Sequence, residues 1–273
     1  MNWLERTLWA EPLWATGLVY LVVLLLASWA GVVLGRRRQQ PDLSTSPPAT
    51  TVDAALLGLL ALLLAFTYSE AARRFELRRS LLVEEANAIG TVWLRADFLP
   101  EPGRSQLREA LRQYTSLRVV PEEAGTDLAA AERRVRASQA LHARMWAAAT
   151  NSIQRRDPLD AILISELNHL IDLHTSRMAS YEYRVPAAVL LLLGLVSVLS
   201  VALMGFGFGQ VGRSSPGLLL VLALVIAAVV LCILDLDQSH RGLTRIRQTS
   251  LQQLARAAAP IAPTSPSPPQ SPG

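Results

Sequence analysis

Glu85 is the residue whose type and place most invite a chemical question. In the stretch "SLLVEEANAIGTVW" (residues 80–93) it sits at the centre of an apolar helical face. At about 100° per residue, Leu81, Leu82, Ile89, Val92 and Ala96 flank it, Arg74 and Arg78 fall on the same side, and Glu84 and Asn87 lie at the edge or beyond. A carboxylate inside such a face is costly unless it is paired or hydrogen-bonded. The pattern therefore predicts an arginine partner from a neighbouring helix or subunit, such as Arg177 or Arg184. Two other readings stay open: a polar path or ion site, or a helix that bends until Glu85 reaches water.

Other constellations are thinner. Glu166-x-x-His169 has the spacing of one half of a di-iron bundle site, but such a site needs a second motif and two further glutamates. No second motif occurs, so His169, Asp172 and His174 in "NHLIDLHTSR" are expected to be solvated or interhelical polar residues. There is no glycine-rich phosphate loop, no G-x-S-x-G and no H-E-x-x-H. The single cysteine, Cys232, rules out an internal disulfide framework. The residues thus point to no enzyme and no cofactor.

The elements that must position these residues are membrane helices. The chain of 273 residues is 51% hydrophobic, and the excess lies in discrete blocks. A span needs roughly 20 apolar residues to cross about 30 Å of hydrocarbon. Leu13–Gly35, Val185–Phe208 and Gly217–Leu234 qualify without a charge. Ala54–Ser69 is shorter, but no breaker follows before Pro100, so one helix is expected over 53–97, with Arg73 and Arg74 snorkelling to the headgroups. The first block is too long for a signal peptide, and its N-terminal side carries no net positive charge.

The expected order is the N-terminus with span 1 (1–35), a linker loop (36–52), span 2 with its long continuation (53–97) and a helical insert (98–184). Span 3 (185–208), a hairpin loop (209–216), span 4 (217–234) and a tail (235–273), disordered after about 257, complete it. Within the insert, Ser105, Asp127 and Asp157 before Pro158 read as helix starts. The fold class is all-α, a multi-pass membrane protein.

All 26 basic residues are arginine. Net charge +4 is read as arginines flanking spans on an anionic leaflet, not as a nucleic-acid surface. Cytoplasmic termini put Arg6, Arg73, Arg74, Arg78, Arg79, Arg177, Arg184, Arg241, Arg245, Arg247 and Arg256 inside. Only Arg36, Arg37, Arg38 and Arg213 then lie outside, and the Arg36–Arg38 run opposes that orientation. Small residues at helical spacing, Ala27, Gly31 and Gly35, then Gly58, Ala61 and Ala65, then Gly194 and Ser197, then Ala223 and Ala227, favour close helix approach in lipid.

The segments "LLAFTYSEAARRFELRRSLLVEEANAIGTVWLRADFLPEPGRSQLREALRQY", "ELNHLIDLHTSR" and "LDLDQSHRG" resemble a bacterial bestrophin-like family of four-span membrane proteins carrying a domain of unknown function. The resemblance covers roughly residues 52–250. It implies a bacterial plasma-membrane location and, more distantly, similarity to bestrophins, pentameric anion channels whose second span lines the pore. On that comparison Asp235 and Asp237 fall near an acidic calcium-binding position, although two carboxylates are too few for a six-to-eight-oxygen shell. A homo-oligomeric channel is the leading expectation, with Leu56, Leu60, Leu63 and Leu64 as an apolar pore constriction. The alternative is a membrane-anchored interaction or signalling scaffold whose insert binds a protein partner.

Overall fold

A run of leucine, valine and alanine can cross hydrocarbon only as a helix or a closed barrel, because every backbone N–H and C=O must be satisfied without water. The structure, a computed structural model, describes residues 13–38, 49–119, 128–152, 158–211, 215–238 and 249–257, and among them every regular element is helical. In order these are α1 (Leu13–Arg37), α2 (Ala49–Arg95) with a 3-10 turn at Ala96–Phe98, α3 (Gly103–Arg118), α4 (Leu128–Ser152), α5 (Pro158–Glu182), α6 (Ala187–Gln210), α7 (Pro216–Asp237) and α8 (Thr249–Ala257). Helices α1, α2, α6 and α7 are long and apolar enough to cross a membrane.

The expected long second helix is a single element of 47 residues, starting at Ala49 rather than 53. Helix α3 begins at Gly103, so Ser105 is not its cap. The Glu101 carboxylate takes that part instead, accepting the Ser105 backbone N–H at 3.3 Å and its hydroxyl at 2.7 Å. Pro158 opens α5, where its missing N–H costs nothing. Asp127, Asp157 and the tail after Ala257 lie outside the described residues. Helix α8 was not foreseen in the sequence.

The chain divides into two compact units, Met1–Arg79 with Ala179–Ile246, and Ser80–Met178 with Arg247–Gly273. In the first, α1 and α6 run parallel and touch backbone to backbone. A Cβ on Gly31 would fall on the Ala202 carbonyl and one on Gly35 on the Phe206 carbonyl. In return, Gly205 and Gly209 lie against the carbonyls of Ser28 and Val32. Association in lipid depends on such contact rather than on the hydrophobic effect. Leu24, Leu60, Leu193, Val201, Ile226 and Ile233 form the core of this unit. Gly58 and Gly194 meet nothing within 4 Å, so their small faces are not used in packing among the described residues.

The second unit is built from stripes at helical spacing that mix apolar and polar residues. Helix α3 buries Leu107, Leu111, Tyr114 and Arg118; α4 buries Leu141, His142, Met145 and Ala149; α5 buries Leu163, Leu167, Leu170, His174 and Arg177. The part of α2 in this unit contributes Leu82, Glu85, Ile89 and Val92. Leu251 of α8 is fully buried as well.

Candidate functional site

Glu85 lies beyond the apolar stretch of α2 and is 0% exposed. Four donors converge on its carboxylate. The Tyr114 hydroxyl donates to Oε1 at 2.5 Å, and Arg118 donates Nε to Oε1 at 2.9 Å and Nη2 to Oε2 at 3.3 Å. Arg177 Nη1 donates to Oε2. A carboxylate has about four lone-pair sites, and here each is engaged. Burial pushes the Glu85 carboxyl up, but the Arg118 and Arg177 guanidiniums and the Tyr114 hydroxyl together hold it below its usual range. Burial, with the Glu85 charge beside it, raises the Tyr114 hydroxyl, so the phenol keeps its proton.

That one phenolic proton is committed to Glu85. The His174 Nδ1, 3.3 Å from the Tyr114 oxygen, is then the nitrogen that carries hydrogen and donates it to Tyr114. His142 closes the cluster, its ring centroid 5.0 Å from that of Tyr114 and 4.8 Å from that of His174. The arrangement is an ion cluster in which every lone-pair site of the Glu85 carboxylate is engaged. It can fix helices and respond to protons.

In the first unit Arg78 forms a different clasp. Its guanidinium donates Nε to the Ser180 carbonyl at 3.1 Å, Nη1 to the Asp237 carbonyl at 3.0 Å and Nη2 to the Tyr183 carbonyl at 2.8 Å. Asp237 Oδ1 stands 4.0 Å from Nη2, and Oδ2 accepts the Val185 N–H at 3.3 Å. The last carbonyls of a helix have no partner within it. Arg78 supplies one to the ends of both α5 and α7, and the planar guanidinium suits it for three simultaneous acceptors.

Of the residues singled out in the sequence, Glu85 and Arg177 meet, while Arg78 belongs to the separate clasp. Arg74 donates to Glu70 at 3.0 Å, and Asn87 and Asp172 are exposed. Glu166 pairs with Arg95 at 2.9 Å, and His169 stands 3.6 Å from Glu84. Asp235 and Asp237 are buried, and no group of three or more metal-ligating side chains occurs among the described residues. Tyr114, Arg118 and His142 were missed. The available signal was Arg118 itself, which continues the Leu107, Leu111, Tyr114 stripe where an apolar residue is expected.

The four leucines expected to form a constriction share one face of α2. Leu60 is 2% exposed in the core of the first unit, Leu63 and Leu64 pack against that core, and Leu56 is half-buried. This face of α2 is the protomer's own packing surface. The opposite side is open and carries two stripes, a small one at Gly58, Ala61, Ala65 and Ser69 and a bulky one at Val52, Leu59, Leu62 and Phe66.

Four apolar helices long enough to span a bilayer, with a helical insert between the second and third, define an all-α multi-pass membrane protein. The bestrophin-like domain model matches residues 17–251, and the chain belongs to that family. Among solved structures, two variants of a bacterial bestrophin homologue from Klebsiella pneumoniae share its fold. One is 15% identical with a TM-score of 0.67, covering 92% of this chain and 97% of that one. The other is 14% identical with a TM-score of 0.67, covering 88% and 97%. No curated protein matches the chain.

Proposed function

We propose that several copies of this chain assemble in the bacterial plasma membrane around a common axis and conduct anions along the open face of α2. The observation that carries the reading is the two-stripe division of that face, taken with membership of the bestrophin-like family. Gly58, Ala61 and Ala65 let neighbouring copies approach closely. Val52, Leu59, Leu62 and Phe66 then face the axis as an apolar constriction that gates by dewetting. Leu60, buried inside the protomer, takes no part in this constriction. The termini and the insert are cytoplasmic in this reading, and at the mouth Arg73 and Arg74, both paired with the single Glu70 carboxylate, leave a net positive charge that favours anions.

The test is chloride efflux from liposomes holding purified protein. Leu62→Ser and Phe66→Ala, which add a hydroxyl or remove bulk at the constriction, should raise efflux above wild type. A membrane-anchored scaffold predicts no efflux from any of the three. That result, with a monomeric mass in nanodiscs, would overturn the channel.

A further inference from the structure

Two histidines meet inside the second unit. His142 on α4 is 8% exposed and His174 on α5 is 5% exposed, and their rings stand edge to face with centroids 4.8 Å apart. Among the described residues, the charged and titratable groups facing them are Glu85 on α2, Tyr114 and Arg118 on α3, and Arg177 on α5. Among the described residues, two guanidiniums stand against the one Glu85 carboxylate. The carboxylate has no acceptor site to spare. His142 Nε2 is buried with no hydrogen-bond partner among the described residues. A proton added to either ring would therefore bring a further cation beside Arg118 and a second imidazole in a largely buried site.

We propose that the His142–His174 pair makes the second unit acid-labile, letting α2, α3, α4 and α5 pack while both rings are neutral and loosening them when a proton arrives. The inference stands on this cluster alone and does not depend on ion conduction.

Burial, with Arg118 and His142 beside it, lowers His174 from 6.5 to about 4, and burial also lowers His142. The folded state thus binds fewer protons than the unfolded one. The stabilisation is complete above about pH 6.5 and is lost as pH falls toward 4. For His174 alone, moving from pH 7.5 to 5 lowers the folding constant about 30-fold.

The test is amide hydrogen exchange of the full chain in nanodiscs at pH 7.5 and 5, corrected for intrinsic exchange rates. Protection of peptides from 107–118 and 167–178 should fall by about 10-fold or more in wild type. The fall should be mostly abolished in the H142Q/H174Q double variant. Unchanged wild-type protection at pH 5, or an equal fall in the double variant, would overturn the proposal. Should the double variant not fold, histidine-selective NMR titration of wild type decides. His142 and His174 titrating well below 6.5 supports the proposal, and both titrating at or above 6.5 overturns it.

Discussion

Glu85→Ala withdraws one carboxylate from four donated hydrogen bonds and leaves Arg118 and Arg177 facing each other across the gap in a buried cluster. Removing one partner of a buried ion pair costs about 3–5 kcal/mol. Whole domains are stable by only about 5–15 kcal/mol. The variant should therefore unfold at markedly lower denaturant or be recovered in much reduced yield. Glu85→Gln keeps the volume, but its amide has one acceptor oxygen and sets an NH2 group among donors. Losing hydrogen bonds to charged partners costs about 1.5–3 kcal/mol each, partly recovered by side-chain adjustment, so Gln should fall between Ala and wild type. In the Glu85→Ala background, Arg118→Met should cost much less than it does alone, because the charge it removes is no longer compensated. The assay is equilibrium denaturation of purified full-length protein in detergent at pH 7.5. Wild-type behaviour of both single Glu85 variants would refute the buried-cluster account, and strict additivity of the double variant would refute the pairing with Arg118.

Gly31→Val should abolish recovery of folded protein, since even a Cβ there meets the Ala202 backbone, whereas Gly194→Ala should fold as well as wild type and gain up to about 1 kcal/mol of helix propensity. Thermal unfolding compares the two. Arg78→Met deprives the Ser180, Tyr183 and Asp237 carbonyls of their charged donor and should cost about 2–4 kcal/mol by the same denaturation assay. Topology reporters fused after Gln154 and after Gly209 should read inside and outside, and the reverse pattern would invert the proposed orientation.

Local periodicity carried much of this architecture. Span lengths, the continuous α2 and the apolar setting of Glu85 depend on residues close in sequence, where helical geometry fixes which side chains share a face. The partners of Glu85 do not: Tyr114, Arg118 and Arg177 lie 29, 33 and 92 residues away, and helix packing selects them. The leucines of α2 show a second limit. In a membrane helix both faces are apolar, so hydropathy cannot distinguish the side holding Leu60 from the side holding Leu62. Only the packed core makes that choice, and it turns Leu60 inward and leaves Leu62 and Phe66 open. Gly31 and Gly58 differ for the same reason. Each is small at helical spacing, but α6 brings Gly205 and Gly209 to the α1 glycines, and among the described residues nothing comparable meets Gly58.

The proposed channel requires that the open bulky stripe of α2 line an anion path. The most direct measurement is current across a planar bilayer containing purified Cys232→Ala protein with Phe66→Cys, under a chloride gradient, before and after a water-soluble thiol reagent. The account predicts current that reverses near the chloride equilibrium potential and changes sharply on modification. Absence of current, or chloride current indifferent to modification once mass spectrometry shows the thiol has reacted, would contradict it.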